Sequence, residues 1–373
     1  MNKQLKTIGL LAIATPIFLA NAAPNPSEKN KRIFDHWQPE RIKNATPRDL
    51  IIDAKGNGYL RGKQGNLIPH GHDKKAEAVA TQAAEVNAAN YIVNNSGWDN
   101  GGLVQQTAGR IYFEMPQRRN LRRWDGYVCS GTVATESVTG RSIIITAAHC
   151  VYDDVNKAFA RNVLFIPNQD GTTGSGTDTN CNNDPVGCWT TSFGVVDTNW
   201  TTGRFPNNAA WDYAYYVVND SGAHSGAAAS SDALDQAVGS LDISFSQPYY
   251  NDNDDSATSL DFTHGLGYSY SDDPNFMYCA EDMTTEGSDN WWLPSCGLSG
   301  GSSGGPWIQG MNESTGTGTI MSVNSWGYNG SPGMAGPILS GTSAECMFIE
   351  AQDTAFSAVS TADGQAGVVS SCQ

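Results

Sequence analysis

From about residue 111 onward the chain alternates short apolar runs with clusters of Gly, Asn, Asp and Pro. The runs read RIYFEM, YVCSGTV, SIIITAA, NVLFIP, WDYAYYVV and GTIMSVNSW. Short β-rich runs with turn residues between them predict a barrel or sandwich of antiparallel strands. Residues 168–188, NQDGTTGSGTDTNCNNDPVGC, read as a loop, and residues 343–359 as a closing helix. The N-terminal part has another texture. Lys3 and Lys6, an apolar stretch at 8–19 and the small residues Ala20-Asn21-Ala22 form an export signal over residues 1–22. Pro16 and the shortness of the apolar stretch argue against a membrane span there, and no later stretch is apolar enough for one. Residues 23–110 are basic, lack cysteine and include an Ala-rich helical stretch at 77–90, so they are expected to be a pro-segment before a main domain at 111–373. No internal repeat is present.

Charge sharpens the division. Residues 1–110 carry 14 Lys and Arg against 9 Asp and Glu, net +5, whereas 111–373 carry 8 against 29, net −21. No Lys or Arg follows Arg204. Such an acidic surface excludes nucleic acid and anionic membrane as partners. The eight cysteines, Cys129, Cys150, Cys181, Cys188, Cys279, Cys296, Cys346 and Cys372, all lie beyond the signal. An even number in an exported chain predicts four disulfides. A zinc site is the poorer reading, because no Cys-x-x-Cys pair occurs and one histidine alone adjoins a cysteine. The protein is therefore expected in the periplasm or outside the cell, as a monomer with no metal.

The chemistry concentrates in three segments. GLSGGSSGGPW, 297–307, sets two serines among glycines and closes with Pro306 and Trp307, which fits a strained turn before a strand better than a flexible tether. A serine hydroxyl becomes a nucleophile only beside a base, and the base needs a third group to orient it. ITAAHC, 145–150, places His149 at the end of an apolar strand. AAWDYAYYVV, 209–218, places Asp212 at the mouth of another, where a carboxylate is costly to bury unless hydrogen-bonded.

Together these segments resemble the chymotrypsin/trypsin family of serine proteases over roughly residues 109–340. TAAHC matches its histidine motif, WDYAYY its Asp-x-Ala strand, GSSGGP its nucleophile motif and NSWGY, 324–328, the Ser-Trp-Gly strand lining the substrate cleft. The order His, Asp, Ser separates this family from subtilisins and α/β-hydrolases. The resemblance implies two packed six-stranded antiparallel β-barrels with a C-terminal helix and the site at their junction. It implies Ser303 as nucleophile, His149 as general base, Asp212 as orienting carboxylate, and an oxyanion hole from the backbone N–H groups of Gly301 and Ser303. Ser325 would support Asp212. Ser325, Trp326, Gly327 and Gly333 would bind an extended protein or peptide substrate by strand addition, with no cofactor. The family pattern also pairs Cys129 with Cys150, closing a loop of about 20 residues worth roughly 3 kcal/mol in the chain-entropy model. Proximity pairs Cys181 with Cys188 and Cys279 with Cys296, which leaves Cys346 with Cys372. Two other readings of the same residues are a catalytically silent homologue that binds protein through the cleft, and an esterase-type hydrolase.

Departures from the family pattern matter. Ser302 stands where many members carry an aspartate that pairs with a new N-terminus, so a cut at Arg110–Ile111 lacks its usual partner. Either another carboxylate takes that charge, or the oxyanion hole forms without it and the pro-segment covers the cleft or assists folding. The pocket position falls at Gly297, or at 293–295 with a gap, and offers no trypsin-type aspartate. Asn324 stands where glutamyl endopeptidases of the family carry histidine. With Gly327 and Gly333 leaving the pocket open, the expected P1 residue is uncharged. Asp178, Asn180, Asn182 and Asp184, like the stretch 251–255, read as solvated acidic loops rather than calcium sites. HGHD, 70–73, is too isolated for a metal site, and RRNLRR, 118–123, reads as a solvated loop.

Overall fold

The run SIIIT shows how the first half is built. Strand Arg141–Thr146 is paired on both edges, by Trp124–Ala134 and Ala214–Asn219, and the full burial of the consecutive Ile143, Ile144 and Ile145 shows that both its faces are covered. A continuous apolar run is what a central strand requires. The sheet continues outward through Ala108–Pro116, Arg161–Pro167 and Cys188–Thr190 on one side and Phe193–Asp197 and Gly367–Ser370 on the other. The computed structural model describes residues 26–62, 64–72, 91–174, 180–250, 260–270, 276–359 and 366–372. The expected signal at 1–22, the helix at 77–90, Asp178 and the stretch 251–255 lie outside them.

The second half holds two further sheets. One orders Asp242–Ile243, Thr317–Val323, Pro306–Asn312, Phe262–Tyr268, Phe276–Asp282 and Val93–Gly97. The other orders Thr284–Glu286, Asn290–Leu293, Met334–Pro337, Trp326–Tyr328, Leu50–Ile52, Gly58–Arg61 and Leu67–Pro69. Helices Ala344–Asp353 and Phe356–Val359 lie where a helix was expected, and strand Gly367–Ser370 follows them. The architecture is the expected mostly-β one of curled sheets with a short C-terminal helix. Its strand count departs from two sets of six because the N-terminal segment adds strands to the three larger sheets, including Thr46–Pro47 alongside Tyr127 and Val128. No helix among the described residues is long and apolar enough to cross a membrane.

The segment before residue 111 is thus woven in rather than appended. Trp37 is buried and its indole N–H donates to Asn162 O at 2.5 Å, and Ile33, Ile42 and Ala45 pack with Tyr112, Val128 and Leu164. The boundary expected at 110/111 falls inside Ala108–Pro116, a single strand buried at every position, where Arg110 faces Ser130 and Ile111 faces Cys129. The Arg110 guanidinium donates to Ser269 O at 3.1 Å and lies over the Tyr268 ring. Burial of an arginine among carbonyl and ring acceptors explains why a basic residue interrupts no strand here.

Four disulfides join Cys129 to Cys150, Cys181 to Cys188, Cys279 to Cys296 and Cys346 to Cys372, with Cα–Cα distances of 4.9–6.3 Å. Residues 118–123 form an exposed turn. His70 is buried against Asp154 at 2.7 Å and His72 contacts Gly58 O, so the two histidines serve separate structural contacts.

One buried acid yields a test of this packing. Glu281, on Phe276–Asp282, accepts the Ser295 N–H at 2.7 Å, and burial pushes its carboxyl from 4.5 up to about 7. A folded-state pKa above the unfolded value means that ionisation costs stability. The penalty is absent below the ordinary 4.5, grows as pH rises and is complete above about 7. Glu281→Gln is therefore expected to leave stability unchanged at pH 4 and to raise it by about 3 kcal/mol at pH 8. Denaturant unfolding at the two pH values checks this, and an equal effect at both would refute it.

Candidate active site

Strand Arg141–Thr146 ends in the short 3₁₀ turn Ala148–Cys150, and the Cys129–Cys150 disulfide fixes that turn to the neighbouring strand. His149 is thereby presented from a rigid corner, buried to 1% exposure. Asp212 follows another 3₁₀ turn, Ala209–Trp211, immediately before strand Ala214–Asn219. It is fully buried, and its charge is distributed over three donors. The His149 backbone N–H reaches Oδ1 at 2.8 Å, His149 Nδ1 reaches Oδ2 at 2.7 Å and the Ser325 hydroxyl donates to Oδ2 at 2.5 Å. A carboxylate facing Nδ1 fixes the proton there and leaves Nε2 as the acceptor. His149 Nε2 is buried and has no hydrogen-bond partner among the described residues.

The GLSGGSSGGP loop packs against this corner. Ser303 O accepts the Ser130 N–H at 2.7 Å and lies 3.9 Å from Cys150 Sγ, which brings the loop to the disulfide beside His149. Ser302 turns its hydroxyl away, donating to Ser299 O at 2.8 Å. Two glycines admit no substitute. Gly301 has φ +100° with a Tyr268 carbonyl 2.8 Å from where a Cβ would sit, and Gly304 has φ +82° with Thr146 Oγ1 at 2.1 Å. Asn324, which stands where glutamyl endopeptidases carry histidine, is a strut between strands. Its amide donates to Leu266 O and Ser302 O and accepts the Trp307 indole N–H.

A cavity of about 250 Å³ opens beside Ser303. Ser325, Trp326, Gly327 and Gly333 all line it, as does Gly297, whereas residues 293–295 do not. A side chain at 333 would meet the Trp292 ring, which lies 1.9 Å from where a Cβ on Gly333 would sit. The charged side chains in the lining, Asp49 and Arg61, both come from the N-terminal segment. Sequence reasoning missed these two. Asp49 Oδ1 accepts the Gly301 N–H at 3.2 Å, and burial raises its carboxyl above the ordinary range although Gly301, Arg61 and His149 pull the other way. The available signal was an Arg-Asp pair immediately before the apolar triplet Leu50–Ile52, within a segment expected to cover the cleft.

His149, Asp212, Ser325, Gly301 and Ser303 are thus assembled at one place, between the first sheet and the two sheets of the second half. The group can orient an imidazole with an accepting Nε2, and it holds the Asp49 carboxyl on a backbone amide of the loop that carries Ser303. Cys129, His149 and Cys150 also cluster, but the two thiols are joined to each other.

No family model and no curated protein matches the chain. Solved structures do. It is similar to a thermostable serine protease AL20 from an extremophilic microorganism, at 24% identity and TM-score 0.49 over 67% of this chain and 99% of that one. It is similar to a Glu endopeptidase solved with MPD, at 13% identity and TM-score 0.47 over 70% and 98% of the respective chains. The VesB protease of Vibrio cholerae matches at 14% identity and TM-score 0.42, over 69% of this chain and 66% of that one.

Proposed function

We propose that this chain is an exported serine endopeptidase in which Ser303 is the nucleophile, His149 the general base and Asp212 the orienting carboxylate. The observation that carries the reading is the hydrogen-bonded line from Ser325 through Asp212 to His149, which ends in a buried Nε2 with no hydrogen-bond partner among the described residues. Ser303 Oγ attacks the scissile carbonyl carbon as its proton passes to His149 Nε2. The Gly301 and Ser303 amides take the developing oxyanion. The C–N bond then breaks, the His149 proton goes to the leaving amine, and water hydrolyses the acyl ester by the same route. Asp212 stays ionised throughout and stabilises the imidazolium. The balance needs water alone, and no cofactor enters it.

The substrate is an extended peptide along Trp326–Tyr328, with its P1 side chain in the cavity beside Ser303. Apart from the two N-terminal residues that cavity is lined by uncharged groups, among them Leu298, Met334 and Trp326, which favours an uncharged P1 residue. Export removes residues 1–22. The pro-segment ends before Tyr91, since Val93–Gly97 and Gly102–Thr107 are built into the main body and Ala108–Pro116 is unbroken. The mature protein acts as a monomer in the periplasm or outside the cell.

Digestion of a peptide library by the processed protein tests the reading, with cleavage expected after uncharged residues. Cleavage confined to Arg, Lys or Glu would contradict the pocket assignment, and ester hydrolysis without peptide cleavage would favour an esterase. Ser325→Ala tests the Asp212 support. Loss of one hydrogen bond to a buried charge is worth roughly tenfold in kcat, with KM little changed, by steady-state kinetics. An unchanged kcat would remove Ser325 from the catalytic arrangement.

A further inference from the structure

We propose that residues 46–61 are an intramolecular inhibitor of this active site, in which the Asp49 carboxylate occupies the oxyanion hole and Leu50–Ile52 occupies the substrate-binding edge. The inference rests on the catalytic reading above. Gly301, whose amide is assigned to the oxyanion, already donates to Asp49 Oδ1 at 3.2 Å. The second carboxylate oxygen is pressed against the same loop, 2.1 Å from where a Cβ on Gly300 would lie. From there the chain runs along Trp326–Tyr328 in parallel register, Leu50 beside Trp326, Ile51 beside Gly327 and Ile52 beside Tyr328. The edge that a peptide substrate would use is taken.

The segment occupies the site without becoming its substrate. A carboxyl group carries no amine to expel, so it cannot acylate Ser303 as a peptide bond would. The Asp49 main-chain carbonyl, the group that could be attacked, is turned away and accepts the Arg61 N–H at 3.1 Å. Arg48 clamps the preceding position. Its guanidinium is buried, donates to His149 O at 2.7 Å and to Asp153 Oδ2 at 3.0 Å, and lies over the Tyr127 ring. Thr46–Pro47 adds to the first sheet and Leu50–Ile52 to the third, so the segment bridges the two sides of the site directly across Ser303. The hole is formed here around a carboxylate, with Ser302 bonded to Ser299 O and Arg110–Ile111 held inside a strand. Activation then consists of removing this segment, not of inserting a new N-terminus.

The test measures how fast a fluorophosphonate labels Ser303 in the full chain, wild type against Asp49→Ala, with Ser303→Ala as the unlabelled control and thermal unfolding as the check of folding. The wild-type chain is expected to react slowly and Asp49→Ala at least about tenfold faster, the worth of one charge-assisted hydrogen bond held in the hole. Should Asp49→Ala not fold, Asp49→Asn keeps the side chain's size without its charge and is expected to react a few-fold faster than wild type. Equal rates for wild type and a folded Asp49 variant, with Ser303 labelled in both, overturn the inhibitor and leave the catalytic reading standing. Absence of labelling in every form, including a chain cut between residues 73 and 90 and freed of its N-terminal segment, overturns the catalytic reading and the inhibitor with it.

Discussion

Ser303→Ala in the processed protein is expected to abolish peptide cleavage, lowering kcat by on the order of 10⁶. The magnitude follows from what remains. Without Oγ there is no acyl-enzyme, and the Gly301 amide and the cleft supply only the residual acceleration of an oriented, polarised carbonyl. The neighbouring serine separates chemistry from loop structure. Ser302 donates to Ser299 O, so Ser302→Ala loses one bond within the loop and is expected to retain most of its activity. Initial rates for both variants on one peptide decide the assignment, and the reverse pattern would transfer the nucleophile to Ser302.

Asp212→Asn is expected to cost about 10⁴ in kcat with the fold intact. Asp212 receives the His149 backbone N–H, His149 Nδ1 and the Ser325 hydroxyl, all three as acceptor. An amide keeps the shape but turns one acceptor into a donor. The carboxamide at this position would then satisfy its neighbours best with the His149 proton on Nε2, the wrong tautomer for receiving one from Ser303. Steady-state kinetics with a melting curve measures the effect. A folded variant within tenfold of wild type would show that His149 needs no orienting carboxylate.

Much of the site was legible because its motifs are local. Histidine beside a cysteine at a strand end, an acid at a strand mouth and serine among glycines each state their backbone demands within a few residues. The structure brings His149 and Asp212 together across 63 positions. The closing helix and the strands of the first half were legible for the same reason, since a run such as Ile143-Ile144-Ile145 has one outcome between two covered faces. What was not legible depends on partners distant in sequence. Leu50–Ile52 has no helical or alternating period, and its place is set by the free edge of Trp326–Tyr328, nearly 280 positions away. Asp49 reads as an ordinary surface acid until Gly301 meets it. The 110/111 boundary was drawn from a cleavage-like dipeptide, and the strand through it is fixed by pairing with residues 124–132, which no local pattern specifies. Trp292 filling the space beside Gly333 is a packing outcome of the same kind.

The central claim is that Ser303 is a nucleophile activated by His149. The most direct measurement is fluorophosphonate labelling of the protein freed of its N-terminal segment, followed by peptide mapping by mass spectrometry. The account predicts a single adduct on Ser303, absent from the His149→Ala variant. An adduct on another residue, or labelling of Ser303 that persists undiminished without His149, would contradict it.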